Sequence, residues 1–168
     1  MTYTTVLFAL MLIVFIGYVS FIWSKYGVLP SISESYYHLP EKLQPLFTFF
    51  CWGFALPAII LGSSLLMFFA GSGIVFVGGA AAFKEHVIET VHIASAMIGV
   101  ILSQLAIFLQ YHMWPLNLIF LGIVITLTIL NSIKNKNGKP ICPNKTWWIE
   151  ITAFLLICIT LGINIFKK

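Results

Sequence analysis

The sequence has no arginine and no aspartate, and charged residues make up 8% of its 168 positions. A soluble globular domain carries about 25% charged residues, so this composition excludes one. Without arginine the chain also lacks the planar fork that binds a phosphate through two parallel hydrogen bonds, which argues against a tight phosphate clamp. With 60% hydrophobic residues, these absences indicate an integral membrane protein, although the sequence does not say of which membrane.

The net charge of +4 does not point to a nucleic-acid partner. Four of the nine lysines lie between positions 134 and 145 and two end the chain, which is typical of residues that flank membrane helices. No nucleic-acid-binding motif accompanies them.

Cysteine is also scarce: Cys51, Cys142 and Cys158 form no C-x-x-C motif and no disulfide framework. We therefore expect membrane lipids as partners, with a second membrane subunit as an option, and neither nucleic acid nor a cofactor.

The apolar residues fall into long runs, and a helix needs about 20 of them to cross a bilayer. The runs predict an all-α, polytopic transmembrane bundle of six helices in a single domain over residues 1–168. The predicted spans are 4–24, 44–62, 65–83, 88–110, 115–133 and 147–166. With six spans, the loops at 25–43, 84–87 and 134–146 share one side of the membrane. The alternative is five spans plus a re-entrant segment, in which 46–70 form one long helix followed by the glycines at 71–79.

Ionisable side chains are costly inside a bilayer, so those within the spans are candidate binding residues. Glu89 and His92 lie three positions apart on the fourth predicted span and share a helix face. Glu85, Gly99 and Ser103 continue this face, which we expect to point into the bundle. Glu150 lies one turn into the last span and is a further candidate.

The Glu-x-x-His spacing also occurs in helical di-metal proteins, where it appears twice beside two further carboxylates. Here it appears once, so Glu89 and His92 would hold a metal only if Glu150, His86 or His38 converged on them. The alternatives are a proton or headgroup site, or a histidine that hydrogen-bonds across helices and holds the bundle together. The small residues Ser95, Gly99 and Ser103, and the glycines at 71, 73 and 78, indicate close helix packing.

The loop from Ser31 to His38 is the densest polar cluster in the chain. Its serine, glutamate, tyrosine and histidine side chains could bind a lipid headgroup, with Tyr37 and His38 as candidates, or carry out acid–base chemistry. The alternative is a solvated loop in which Ser33 or Ser35 caps a short helix and the tyrosines lie at the membrane interface.

Two stretches resemble a known group of membrane proteins. Residues 29–34 (Leu-Pro-Ser-Ile-Ser-Glu), followed by Leu39-Pro40-Glu41 and Leu46-Phe47, resemble the first-loop signature of the damage-regulated autophagy modulators and the related GPI-anchor lipid-remodelling proteins. The glycines at 71, 73 and 78, followed by His92, resemble the core of that group and of a bacterial family described as domain of unknown function nine-nine-eight.

This resemblance covers residues 1–133 and implies six helices, residence in a membrane and, for some relatives, a role in lipid handling. By motif, Ser33, Glu34 and His92 are the positions that carry over. The sequence departs from the pattern after the glycine segment, where residues 79–82 are Gly-Ala-Ala-Ala instead of including an aromatic residue or proline. The relatives have no settled chemistry, so the resemblance implies no reaction.

Three functions stay open at this point. The first is a protein that binds or organises lipid or a membrane partner without catalysis. The second is an intramembrane lipid hydrolase or acyl-transfer enzyme with Ser33 as nucleophile, His92 as base and Glu34 or Glu89 as the group that orients the base. The third is a proton-coupled carrier that uses Glu89, His92 and Glu150. If the first loop folds over the end of the helix that carries His92, its polar residues and His92 can form a site. If it does not, a plain scaffold is the better interpretation.

Overall fold

The computed structural model describes residues 2–82 and 86–167, and of His86 and Val87 it describes only the backbone. Within these residues there are seven α-helices and no β-strand beyond one isolated bridge between Lys134 and Pro140. The helices are α1 (Tyr3–Tyr26), α2 (Ser35–His38), α3 (Pro45–Gly62), α4 (Leu65–Gly79), α5 (His86–Leu109), α6 (Trp114–Ser132) and α7 (Lys145–Phe166). A 3₁₀ turn at Glu41–Leu43 precedes α3. The prediction of an all-α bundle is confirmed.

Five of these helices (α1, α3, α5, α6 and α7) are long and apolar enough to cross a membrane, α3 being counted together with the turn before it. The protein is therefore an integral membrane protein of the multi-pass kind. Helix α4 has 15 residues and a rise of about 22 Å, which is shorter than the hydrocarbon core of a bilayer.

The break between α3 and α4 lies where Gly62-Ser63-Ser64 predicts it. Ser63 adopts the left-handed conformation with φ of 46°, and the Ser64 hydroxyl caps α4 by accepting the N–H of Met67 at 3.1 Å. A single helix over residues 46–70 is therefore not formed. The predicted span 65–83 was too long, because α4 ends at Gly79 and residues 80–82 are not helical. Helix α4 ends with two adjacent glycines, and glycine has a low helix propensity. This accounts for the end of the helix at Gly79 instead of at residue 83.

The long helices run alternately between the two ends of the bundle. At one end, residues 27–34 contact the start of α7, as the hydrogen bond from the Trp147 N–H to the Pro30 carbonyl shows. At the other end, the Tyr111 hydroxyl after α5 donates to the Gly62 carbonyl at the end of α3, at 2.6 Å. The loops after α1 and before α7 thus share one end, as the six-span prediction requires.

Small residues bring α4 close to its two main neighbours, α3 and α5. A Cβ atom built on Gly73 would lie 2.6 Å from the Ser95 carbonyl oxygen on α5, and one on Gly78 would lie 2.7 Å from the Cβ atom of Cys51 on α3. The packing role predicted for these glycines is confirmed. In contrast, α6 has no buried residue, so the described part of the chain leaves its apolar surface largely uncovered.

Candidate functional site

Residues 27–34, which we name the strap, fold across one end of the bundle. The strap begins at Gly27, whose φ of 74° favours glycine and lets the chain turn sharply out of α1. Alternate residues of the strap are then hydrogen-bonded to every third residue from Asn144, which directly precedes α7, to Glu150 within it. The three bonds run from Asn144 Nδ2 to the Val28 carbonyl (2.8 Å), from the Trp147 N–H to the Pro30 carbonyl (3.2 Å) and from the Ile32 N–H to the Glu150 carboxylate (2.5 Å).

The end of the strap reaches His92 on α5. Ser33 Oγ lies 2.9 Å from His92 Nε2, and His92 Nδ1 lies 2.9 Å from the carbonyl oxygen of Ala80, just after α4. Because a carbonyl can only accept, Nδ1 carries the hydrogen. In neutral His92, Nε2 is therefore the acceptor and the Ser33 hydroxyl is the donor. Both side chains are buried, and the Phe47 ring lies beside the imidazole with an interplanar angle of 27°.

A second buried hydrogen bond ties the segment after the strap to α1. The Ser35 hydroxyl donates to the Ile32 carbonyl at 2.5 Å, so its own hydrogen is used. The Tyr18 hydroxyl, 2.6 Å away, must then donate to Ser35 Oγ. Ser33 and Ser35 thus anchor the loop to two different helices. The predicted alternative, in which either serine caps a short helix, is wrong, since the residue at the cap of α2 is Glu34 and no side chain caps that helix.

Beneath the strap lies a cavity of about 60 Å³. The strap forms part of its wall through Ile32 and Ser33, and α3, α4, α5 and α7 form the rest. Its polar lining residues are Ser33, Ser103 and Glu150, with the thiol of Cys51 beside them. The remaining wall is apolar and includes Phe47, Phe50, Ile74, Ala96 and Ile157. A cavity needs roughly 10–15 Å³ for each water molecule, so this one has room for roughly four water-sized groups.

The structure brings some of the predicted site residues together and separates others. Ser33 and His92 meet directly, and Glu150 lines the same cavity as Ser33. Glu34 is partly buried, and its backbone N–H donates to the Ser31 hydroxyl. The group that orients His92 through Nδ1 is the Ala80 carbonyl, where we had expected Glu34 or Glu89.

The cavity wall does not include Glu34 or His92, although His92 bonds to Ser33 in that wall. Three other predicted residues lie elsewhere, and a fourth is not among the described residues. Glu89 is exposed in the first turn of α5, so the buried face of that helix begins at His92 and continues to Gly99 and Ser103. Glu89 lies at the start of the helix, where a shared helix face does not by itself make a side chain buried. Tyr37 stands edge-on to Tyr36, and exposed His38 lies beside Tyr26. Glu85 is not among the described residues.

A metal centre finds no support in the described ranges. Among residues 2–82 and 86–167, apart from the undescribed side chains of His86 and Val87, no three histidine, cysteine or acidic side chains come together. The partners that Glu89 and His92 would need are also dispersed, since Glu150 lies in the cavity and Glu89 on the surface.

Reasoning from the sequence missed three components of the site. They are the Tyr18–Ser35 bond, the Ala80 carbonyl and the contact of the strap with α7. Tyr18 lies in a continuous apolar run and carries no local signal of a buried partner. A backbone carbonyl has no side-chain signature at all, so only the tertiary arrangement could reveal its role.

Comparison with known proteins returns no match. No family model matches the chain, and neither does any curated protein or solved structure. Functional inference therefore rests on the geometry of the strap, the Ser33–His92 pair and the cavity.

Proposed function

We propose that this integral membrane protein binds lipid by accommodating one end of a lipid chain in the cavity beneath the strap. The supporting observation is the make-up of the cavity, which is a mainly apolar space with Ser33 and Glu150 in its wall. Small-molecule sites are typically apolar concavities in which a few polar groups set the orientation of the ligand. This cavity has that composition.

The size of the cavity limits what it can hold. About 60 Å³ accepts a polar group and the first few carbons of a chain, so the rest of the molecule must extend between the helices towards the bilayer. Because the strap continues into the polar loop that ends at His38, its end of the bundle belongs at a membrane face. A lipid would therefore enter with its polar end near Ser33 and its chain in hydrocarbon. The resemblance to lipid-remodelling proteins points in the same direction.

Photo-crosslinking in nanodiscs tests this proposal. The probe is a neutral alkyl alcohol with a photoactivatable diazirine close to its hydroxyl, and crosslinked peptides are identified by mass spectrometry. We expect labels on residues of the cavity wall. Ala96→Leu fills the cavity and should abolish this labelling, whereas Ala94→Leu, which adds the same volume at an exposed position of the same helix, should leave it unchanged. Equal labelling in both variants, or labels confined to the outer surface, would contradict the proposal.

A second candidate function, acyl transfer from a lipid ester, is favoured by the Ser33–His92–Ala80 geometry. The hydroxyl donates to a ring nitrogen whose opposite N–H is held by an acceptor, and this is the arrangement that activates serine nucleophiles. The acceptor is a backbone carbonyl where serine hydrolases commonly use a carboxylate. Ser33 lines the cavity and is therefore positioned to meet a bound ester.

The reaction would proceed in two balanced steps. Ser33 Oγ forms a bond to the ester carbonyl carbon as its proton passes to His92 Nε2, and the carbon–oxygen bond to the alcohol then breaks as the alcohol takes that proton. Water or an acceptor alcohol attacks the acyl-serine in the same way, so that Ser33 recovers its proton.

Labelling with a fluorophosphonate probe tests this second candidate. Ser33 should be labelled in the wild type, and Ser33→Ala should abolish both labelling and the release of fatty acid from a lipid ester. Ser72→Ala, at a half-buried serine of α4 that is not in the cavity wall, serves as the matched control. Unlabelled Ser33 in a folded protein without ester turnover would leave lipid binding as the sole proposal.

The hypothesis of a proton-coupled carrier has no geometric support of the kind that favours acyl transfer. Glu89 is exposed and Glu150 lines the cavity, so these two groups share no common space in the described part of the chain.

A further inference from the structure

The wall of the cavity contains an acidic side chain. Glu150 is the one charged side chain among the described residues of that wall. Among the described side chains, those of residues 2–82 and 88–167, the Glu150 carboxylate accepts a hydrogen bond from the Ile32 N–H and forms no ion pair. A carboxylate away from water is costly unless it is paired, so a bound group that supplies positive charge or hydrogen-bond donors would be favoured there.

The hydroxyl groups in the wall are also acceptors. The Ser33 hydrogen is directed to neutral His92, and the Ser103 hydrogen is donated to the Val100 carbonyl at 2.8 Å. Both hydroxyl oxygens can therefore only accept hydrogen bonds from a group bound in the cavity. Among the described residues of the wall, the weak Cys51 S–H is the one side-chain donor left when Glu150 is ionised. A ligand whose polar group carries a negative charge would meet unfavourable partners.

We propose that the polar group held in this cavity is the primary ammonium of a single-chain alkyl amine. An ammonium offers three donors and no acceptor, which complements a wall of two hydroxyl oxygens and a carboxylate. A fatty-acid anion or a phosphate would instead be repelled by Glu150. This inference rests on the proposed lipid-binding function and names the ligand class of the same cavity.

Glu150 also fastens the strap, so its charge must be separated from that structural role. The bond to the Ile32 N–H requires an acceptor oxygen but no negative charge. Glutamine keeps such an oxygen and nearly the same shape. Glu150→Gln should therefore preserve the strap while removing the preference for a cation. Glu89→Gln makes the same chemical change at an exposed position and is the matched control.

The experiment measures competition against the photoactivatable alcohol by dodecylamine, dodecanol and dodecanoate, each at matched mole fractions in nanodiscs. In the wild type and in Glu89→Gln, dodecylamine should displace the probe at about tenfold lower mole fraction than dodecanoate, as expected for a hydrogen bond to a charged group. In Glu150→Gln this difference should disappear. Amide hydrogen exchange across the strap should match that of the wild type and thereby exclude unfolding.

The outcomes separate the two proposals. If all three competitors displace the probe equally well from the wild type, or if dodecanoate does so best, the ammonium inference is overturned and lipid binding stands. If the amine preference persists in Glu150→Gln, Glu150 is not its source and the inference is likewise overturned. If the probe never labels the cavity, the proposed lipid-binding function itself fails.

Discussion

Replacement of Gly73 by alanine is a direct test of the helix packing that shapes the cavity. Gly73 on α4 faces α5, where an added Cβ atom would lie 2.6 Å from the Ser95 carbonyl oxygen and 2.9 Å from the Gly99 nitrogen. Ordinary contact begins at 3.4 Å, so the closer atom is about 0.8 Å too near. Both neighbours are backbone atoms of a helix and cannot rotate away. The substitution must therefore push α4 and α5 apart.

Two opposing effects determine how much Gly73→Ala changes the free energy of unfolding. Overpacking of a close interface typically destabilises a protein by about 1–3 kcal/mol, whereas replacing glycine by alanine within a helix stabilises it by up to about 1 kcal/mol. We therefore expect Gly73→Ala to lower the free energy of unfolding by about 1–2 kcal/mol. Because Ile74 and Gly99 line the cavity, the separation should also weaken crosslinking by the alkyl probe.

Unfolding in mixed micelles with increasing SDS, followed by tryptophan fluorescence, measures this change. Gly122→Ala is the matched control on α6, since its Cβ atom would meet nothing within 4 Å. That variant should be as stable as the wild type or slightly more stable. If Gly73→Ala unfolded at the same SDS fraction as Gly122→Ala, the close approach of α4 and α5 would be refuted.

Two further predictions concern the anchoring of the loop after α1. Tyr18→Phe removes the buried donor to Ser35 and should destabilise the protein by about 1 kcal/mol in the same SDS titration, whereas Tyr3→Phe, at an exposed position, should have no effect. Equal stability of the two variants would refute the bond. Asn144→Ala removes the side-chain donor to the Val28 carbonyl. It should speed amide hydrogen exchange in residues 27–34 without changing exchange in α4, and unchanged exchange in the strap would mean that this bond does not hold it.

Much of the fold could be predicted because its signals are local. Run length identifies the helices that can cross a bilayer, and Gly62-Ser63-Ser64 marks the break between α3 and α4 within three residues of sequence. The end of α4 was harder to place. The apolar run continues to Phe83, and hydropathy alone does not distinguish helical from non-helical residues at 80–82.

The candidate site was only partly predictable. Ser33, His92 and Glu150 stand out because polar side chains near or within apolar runs are rare and need partners. Helical periodicity placed Glu89 on the same face as His92, yet at a helix end that periodicity does not determine which side chain is covered. Glu89 is exposed in the first turn of α5, whereas His92, one turn further on, is buried.

The sequence by itself determined that this is an all-α membrane protein with few polar residues inside its helical runs, because the hydrophobic effect acts on composition and run length. Only the tertiary structure decided which polar groups meet. The strap brings Ser33 to a histidine 59 positions further along the chain and Ile32 to a carboxylate 118 positions away. Contacts at such separations depend on how the helices pack, and no local pattern encodes them.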